Sequence, residues 1–128
     1  MNHITKLQEN LLTAVQTSPY HEKTIVFGEG AEAPLLMMIG EAPGGDEEKQ
    51  GRPFVGKAGK NLSAFLEVVG LKREEIYISN VVKLRPTKES PKTGKAVNRP
   101  PSAEEIAFFL PFLQEEIQTI APKVLVTL

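Results

Sequence analysis

The sequence predicts an α/β fold, three layers deep (α/β/α), around a central, mostly parallel four-stranded sheet. Three observations carry this expectation. Helical and extended patterns alternate along the chain, as right-handed crossovers require. The run Leu35-Leu36-Met37-Met38-Ile39 is apolar at every position, the mark of a strand covered on both faces. The 128 residues suffice for one core that hides roughly two-thirds of the unfolded surface, so a single domain over residues 1–128 is expected.

Ile4, Leu7, Leu11, Leu12 and Val15 recur at helical spacing and predict an amphipathic helix over about residues 4–16, ended by Ser18-Pro19. Thr24 to Phe27 reads as a short strand, Gly28-Glu29-Gly30 as a turn, and Leu35 to Ile39 as the buried strand. A second helix opens near Gly56 to Gly59, carries Leu62, Phe65, Leu66 and Val69 on one face, and stops at Gly70. Ile76 to Val82 has the strongest strand pattern of the chain. Residues 86–101, rich in Pro and Lys, are expected to lack regular structure. Ser102-Ala103-Glu104-Glu105 is a capping box for a helix whose buried side would hold Ile106, Phe109, Leu110, Leu113, Ile117 and Ile120, kinked or restarted at Pro111. Val124 to Leu128 is a last apolar strand. A buried parallel strand ordinarily runs on into a turn and a covering helix, so the end at Leu128 is expected to be a truncation.

Lys and Arg number 15 against 16 Asp and Glu, for a net charge of −1, so the whole chain does not announce a polyanion partner. Its distribution does more. Lys83, Arg85, Lys88, Lys92, Lys95 and Arg99 face the single anion Glu89, a net +5 between residues 83 and 99. Such a stripe either engages nucleic-acid phosphates or is a solvated loop. No leader-like segment and no apolar run of membrane-span length is present, and there is no cysteine, which makes the cytoplasm the default compartment and excludes a disulfide framework.

Chemistry concentrates after the buried strand, where the carboxyl end of a parallel strand builds a crevice. Glu41 follows that strand directly and precedes Ala42-Pro43, at the rim. Together with Glu47 it is a carboxylate candidate for hydrolysis, able to stabilise a sugar cation and hold a water. Phe54, between Pro53 and Gly56, is either a core anchor or a platform for an unstacked base. Asn80 ends a strand otherwise made of Ile and Val, where an amide is costly unless used; it is a turn asparagine or a reader of a pyrimidine edge. Gly51 to Lys57 nearly spells a phosphate-binding P-loop, but Ala58 stands where the Mg²⁺-holding hydroxyl belongs, so nucleotide hydrolysis is rejected. Gly56-Lys57-Ala58-Gly59 still offers backbone N–H groups for a DNA phosphate, or is a plain glycine turn. His3 and His21 have no ligand or triad context.

The stretch Gly40-Glu41-Ala42-Pro43-Gly44, its acidic cluster and Gly51-Arg52-Pro53-Phe54-Val55-Gly56-Lys57-Ala58-Gly59 resemble the first motif of the family 4 uracil-DNA glycosylases. Glu75 to Pro86, Asn98-Arg99-Pro100-Pro101 and Ile120-Ala121-Pro122 continue the resemblance in the family's order. It implies uracil excision from DNA after base flipping, with Gly40, Ala42, Pro43 and Gly44 lining the uracil pocket, Phe54 stacking on the base, Asn80 reading its edge, and Glu41 and Glu47 in the acidic positions. The chain departs from the family twice. The four cysteines that hold a [4Fe–4S] cluster are absent, their places falling near Thr13, Gln16, Leu84 and Phe108, so no cofactor is expected. The histidine-containing second motif is missing too, so the chain is expected to be impaired in catalysis. The expected partners are uracil-containing DNA and free uracil as product, with no membrane, for a monomeric protein. The alternative is a non-catalytic DNA- or nucleobase-binding domain of the same fold.

Overall fold

The computed structural model describes residues 3–128. A four-stranded sheet in the order β1-β3-β2-β6 is formed by β1 (Glu29–Gly30), β2 (Leu36–Gly40), β3 (Tyr77–Asn80) and β6 (Val124–Thr127). β2 runs parallel to β3 and to β6, and β1 adds an antiparallel edge. Helix α3 (Lys57–Val69) covers one face, while α1 (His3–Gln16) and α4 (Ala103–Ile120) cover the other. This is the expected three-layer α/β/α arrangement.

Strand alternation divides the core. Leu36 and Met38 of β2 and Ile78 of β3 face α3, where they meet Leu62, Leu66 and Phe54. Met37, Ile39 and Tyr77 face the other way, against Leu113 and Ile120 of α4. The same alternation, extended to the strand ends, sends Gly40 and Asn80 towards α3 and Ser79 towards α4, and the pairing of Gly40 with Asn80 sets them side by side.

Several elements differ from expectation. Thr24 to Phe27 is not a strand. The antiparallel edge forms instead at Glu29–Gly30, because Gly28 and Gly30 let the backbone approach β3: a β-carbon at Gly30, where φ is +139°, would collide with the carbonyl of Ile76. Strand β3 stops at Asn80, where Val81 and Val82 turn to donate to the carbonyls of Gly40 and Glu41, at 2.9 and 3.1 Å. Two elements are additional: the short helix α2 (Gly45–Gln50) and a hairpin of β4 (Thr87–Glu89) with β5 (Ala96–Asn98) inside the segment expected to be irregular. Gly94, at φ +69°, supplies the left-handed residue that the hairpin's turn needs.

Helix α4 continues through Pro111, and the capping box forms as read, with Ser102 Oγ accepting from Glu105 N and Glu105 Oε1 accepting from Ser102 N. Its buried stripe is Glu105, Phe109, Leu113, Glu116 and Ile120. Ile106 and Leu110 are exposed instead, as are Phe65 and Val69 of α3. Two glutamates therefore occupy core positions. Glu116 accepts from Tyr77 Oη at 2.8 Å and from Ser79 Oγ at 2.9 Å, and pairs with Lys83 Nζ at 2.8 Å. Burial drives the Tyr77 hydroxyl's pKa up, the Glu116 charge adding to it, and burial pulls the Lys83 ammonium down against the pull of Glu116. Lys83, expected in the DNA-binding stripe, is 2% exposed and belongs to this core pair.

Breaking a buried pair on one side strands the other charge, at about 3–5 kcal/mol. Glu116→Ala is expected to lose stability on that scale in urea unfolding at neutral pH, and Lys83→Met/Glu116→Leu to lose much less than the two single variants together. A Glu116→Ala loss below about 1 kcal/mol would contradict the assignment.

Candidate active site

At the carboxyl ends of β2 and β3 the backbone opens into a cleft of about 550 Å³. Glu41, Ala42, Pro43 and Gly44 form one wall, Gly56, Lys57 and Ala58 the opposite one, and Pro86, Asn98, Arg99 and Pro100 at the base of the hairpin close the third side. Phe54 and Asn80 do not line this cleft themselves; they meet at Gly40, the last residue of β2 and the one before Glu41. A β-carbon there would stand 2.5 Å from Asn80 Oδ1 and 2.6 Å from Phe54 Cζ, so the Asn80 amide and the Phe54 ring converge on the space glycine leaves. Asn80 is 4% exposed as a residue, neither atom of its side-chain amide is a buried group left without a partner, and its Oδ1 faces the position a Gly40 β-carbon would take. The Glu41 carboxylate is exposed on the rim and makes no ion pair or hydrogen bond among the described residues.

The loop that presents Phe54 is tightly held. Phe54 has φ +53°, a left-handed conformation that costs a residue with a β-carbon roughly 1–3 kcal/mol. Glu47 ties this loop to α2: its Oε1 accepts from Gly44 N at 2.9 Å, and its Oε2 accepts from Val55 N at 3.0 Å and Gly56 N at 2.8 Å. Burial opposes charge on Glu47, and the donors of Gly56, Gly44 and Val55 outweigh it, holding the carboxyl below the usual range. Both oxygens are thus engaged in bracing the loop. The same contact occupies the N–H of Gly56, the N-cap of α3 and one of the groups offered to a phosphate by the glycine turn. Gly59 is buried, and a β-carbon there would collide with the carbonyl oxygen of Phe54. It is a packing glycine under the loop.

The cations separate into three environments. Lys57 is exposed on the cleft wall, and Lys88, Lys92 and Lys95 are exposed on the hairpin. Arg85 donates through Nε to Asn98 Oδ1 at 2.7 Å and stands 3.8 Å from Glu48, which ties the hairpin to α2. Arg99 forms a two-pronged pair with Glu105, at 2.7 and 2.9 Å. That pair pulls the Glu105 carboxyl down to about 2, against its burial. Arg73, which sequence reasoning passed over, donates to the carbonyl oxygens of Pro53 and Phe54. Nothing in its sequence context, a charged run after a helix stop, separates it from solvated surface. Asn98 and Pro86 were legible only through the motif resemblance.

Fold and cleft define a three-layer α/β protein with its site where the central parallel strands end, the placement typical of ligand sites in such sheets. The family model described as "Uracil DNA glycosylase superfamily" matches residues 27–128, and the chain belongs to that superfamily. The chain is similar to the Type-4 uracil-DNA glycosylase of Sulfurisphaera tokodaii, 39% identical over 130 residues that cover 100% of this chain and 55% of that protein. It is also similar to the Type-4 enzymes of Thermotoga maritima, 43% identical with 81% of this chain and 50% of that one covered, and Archaeoglobus fulgidus, 42% identical with 80% and 47% covered. The chain spans about half the length of the curated relatives it matches.

The residues present do not fit an iron–sulfur cluster. The sequence contains no thiolate to ligate one. Thr13 and Gln16 are exposed on α1. Leu84 is buried in an apolar cluster with Leu11, Val15, Val82 and Phe109, and Phe108 packs against it. The Phe108 ring lies edge-on to Tyr20 at 5.2 Å and to Phe109 at 5.0 Å. Among the described residues, no three His, Asp or Glu side chains group to hold a metal ion. No described helix is long and apolar enough to cross a membrane.

Because the folded pKa of Glu105 lies below its ordinary value of 4.5, its pair with Arg99 stabilises the fold fully above that value and loses its contribution as pH falls towards about 2. Glu105→Gln is therefore expected to melt below the parent protein at neutral pH, with the gap closing through that acid range. A gap that persists unchanged at the acid end would contradict the pairing.

Proposed function

We propose that this chain carries the uracil-recognising half of a family 4-like, cluster-free uracil-DNA glycosylase site, acting on the N-glycosidic bond of deoxyuridine in DNA. The observation that supports the reading most directly is the convergence of the Asn80 amide and the Phe54 ring on Gly40, at the carboxyl ends of β2 and β3. An asparagine amide presents an acceptor and donors together, matching uracil N3–H and O4 while opposing the reversed pattern of cytosine. A base turned out of the DNA would stack on Phe54 and hydrogen-bond to Asn80. The Glu41 carboxylate at the rim would stabilise the positive charge that builds on the sugar and hold the attacking water. Glu47, expected as a second catalytic carboxylate, has both oxygens engaged by backbone N–H groups and is assigned to holding the loop. Lys57 and the hairpin lysines would meet the DNA backbone.

Uracil release from a uracil-containing oligonucleotide tests the reading. It is measured in this chain and in a chimera extended with the remaining part of the Sulfurisphaera tokodaii protein. The chimera is expected to release uracil and this chain to be slower by about 10²–10³, the effect of losing one donor to the charge developing on the base. In the chimera, Glu41→Gln is expected to slow release without lowering the melting temperature, and Glu47→Gln to lower the melting temperature. Asn80→Asp should erode the preference for uracil, since the lost amide donor faces O4. No release by the chimera, or full activity of Glu41→Gln, would sink the mechanism.

Removing Lys88, Lys92 and Lys95 together is expected to flatten the salt dependence of duplex-DNA binding, by about 0.9 in log–log slope for each phosphate that is no longer neutralised. An unchanged slope would return the hairpin to solvated surface.

A further inference from the structure

Arg73 lies outside the cleft, on the 3-10 turn Arg73–Glu75, yet its guanidinium reaches under the Phe54 loop. One terminal nitrogen donates to the carbonyl of Phe54 at 2.7 Å and the other to the carbonyl of Pro53. Its Nε is buried without a partner, so the fork is committed to these two carbonyls at the expense of its own third donor. The carbonyls belong to the left-handed residue and the one before it, the peptide groups whose orientation fixes where the Phe54 ring points. From the other side Gly59 lets α3 press against the Phe54 carbonyl, and Arg52 anchors the start of the loop through two bonds to Glu29, at 2.9 and 2.6 Å. A left-handed phenylalanine persists only where its surroundings over-determine it. Of these contacts, the Arg73 fork alone uses side-chain charge to hold the backbone of Phe54 itself.

We infer that Arg73 is a positioning residue for base recognition: it acts through the Pro53 and Phe54 carbonyls to hold the Phe54 ring over Gly40 and beside Asn80, and does not itself touch the base. The inference rests on the reading of Phe54 as the stacking platform. An arginine suits the task because its planar fork presents two parallel donors, where a lysine presents one point charge. Held in place, the ring loses little freedom when a base stacks on it, and preorganisation of this kind raises affinity without new contacts.

The test is a double-mutant cycle on free uracil affinity, measured by titration with Arg73→Ala, Phe54→Ala and the double variant, alongside Arg73→Lys. Arg73→Ala and Phe54→Ala are each expected to weaken uracil binding about tenfold, the scale of one base-stacking interaction. The double variant should be no weaker than Phe54→Ala, because Arg73 has nothing left to position, and Arg73→Lys should fall between. A merely structural arginine would lower the melting temperature and leave the affinity of the folded fraction unchanged. That outcome, or additive losses in the double variant, would overturn the inference. If the parent chain does not bind uracil, the base-binding reading fails, and the ring resonances of Phe54 decide the positioning claim. Distinct shifts in the parent that average in Arg73→Ala and are retained in part by Arg73→Lys support it, and a ring unaffected by Arg73→Ala overturns it.

Discussion

The site depends on the missing side chain of Gly40. With a β-carbon there, Asn80 Oδ1 and Phe54 Cζ would stand 2.5 and 2.6 Å away, so the strand end, the amide and the aromatic ring can share that space only around a glycine. Strand alternation decides what meets there. Gly40 and Asn80 sit opposite one another in parallel strands and project to the same face, the face that α3 and the Phe54 loop cover. Even alanine at position 40 would force the ring or the amide away, because both distances fall below the separation of real β-carbon neighbours.

Around that point the chain uses charge to fix backbone. Glu47 gathers three N–H groups from two loops, Arg73 gathers two carbonyls, and Lys83 caps the carbonyl of Asn80 from the core side while paired with Glu116. Each places an ion where it is partly or wholly out of water and gives it partners, the condition for a buried charge to be tolerated. The effect is local rigidity at a site whose two recognition groups come from segments 26 residues apart in sequence, Phe54 and Asn80. Glu41 alone among the candidate carboxylates stays on the rim with no fixed partner, as a group that must meet water and a sugar would.

Much of this was legible in the sequence, for physical reasons that differ by residue. Apolar periodicity exposes strands β2 and β3 and the helices, because burial leaves a repeating trace. It failed where ions entered the core. Glu105 and Glu116 sit in the buried stripe of α4, and their partners Arg99 and Lys83 read as solvated or DNA-facing cations because pairing across the fold leaves no local signal. The edge strand lies a few residues beyond the expected one, since Gly28 and Gly30, a turn signal in the sequence, are what lets the backbone close on β3. The hairpin was hidden by its composition: Thr87–Glu89 and Ala96–Asn98 carry no alternating apolar pattern. Glu41, Phe54 and Asn80 were visible because each is chemically out of place, a charge, an aromatic or an amide beside glycine and aliphatic residues.

The central claim is that the Asn80 amide reads a pyrimidine edge beside Phe54. Its most direct test is the response of the Asn80 side-chain amide resonances to free bases in solution. Uracil is expected to shift both amide protons of Asn80 and the ring protons of Phe54 together, saturably, while cytosine at the same concentration leaves them in place. Equal shifts with both bases, or no response of Asn80 to uracil, would contradict the account.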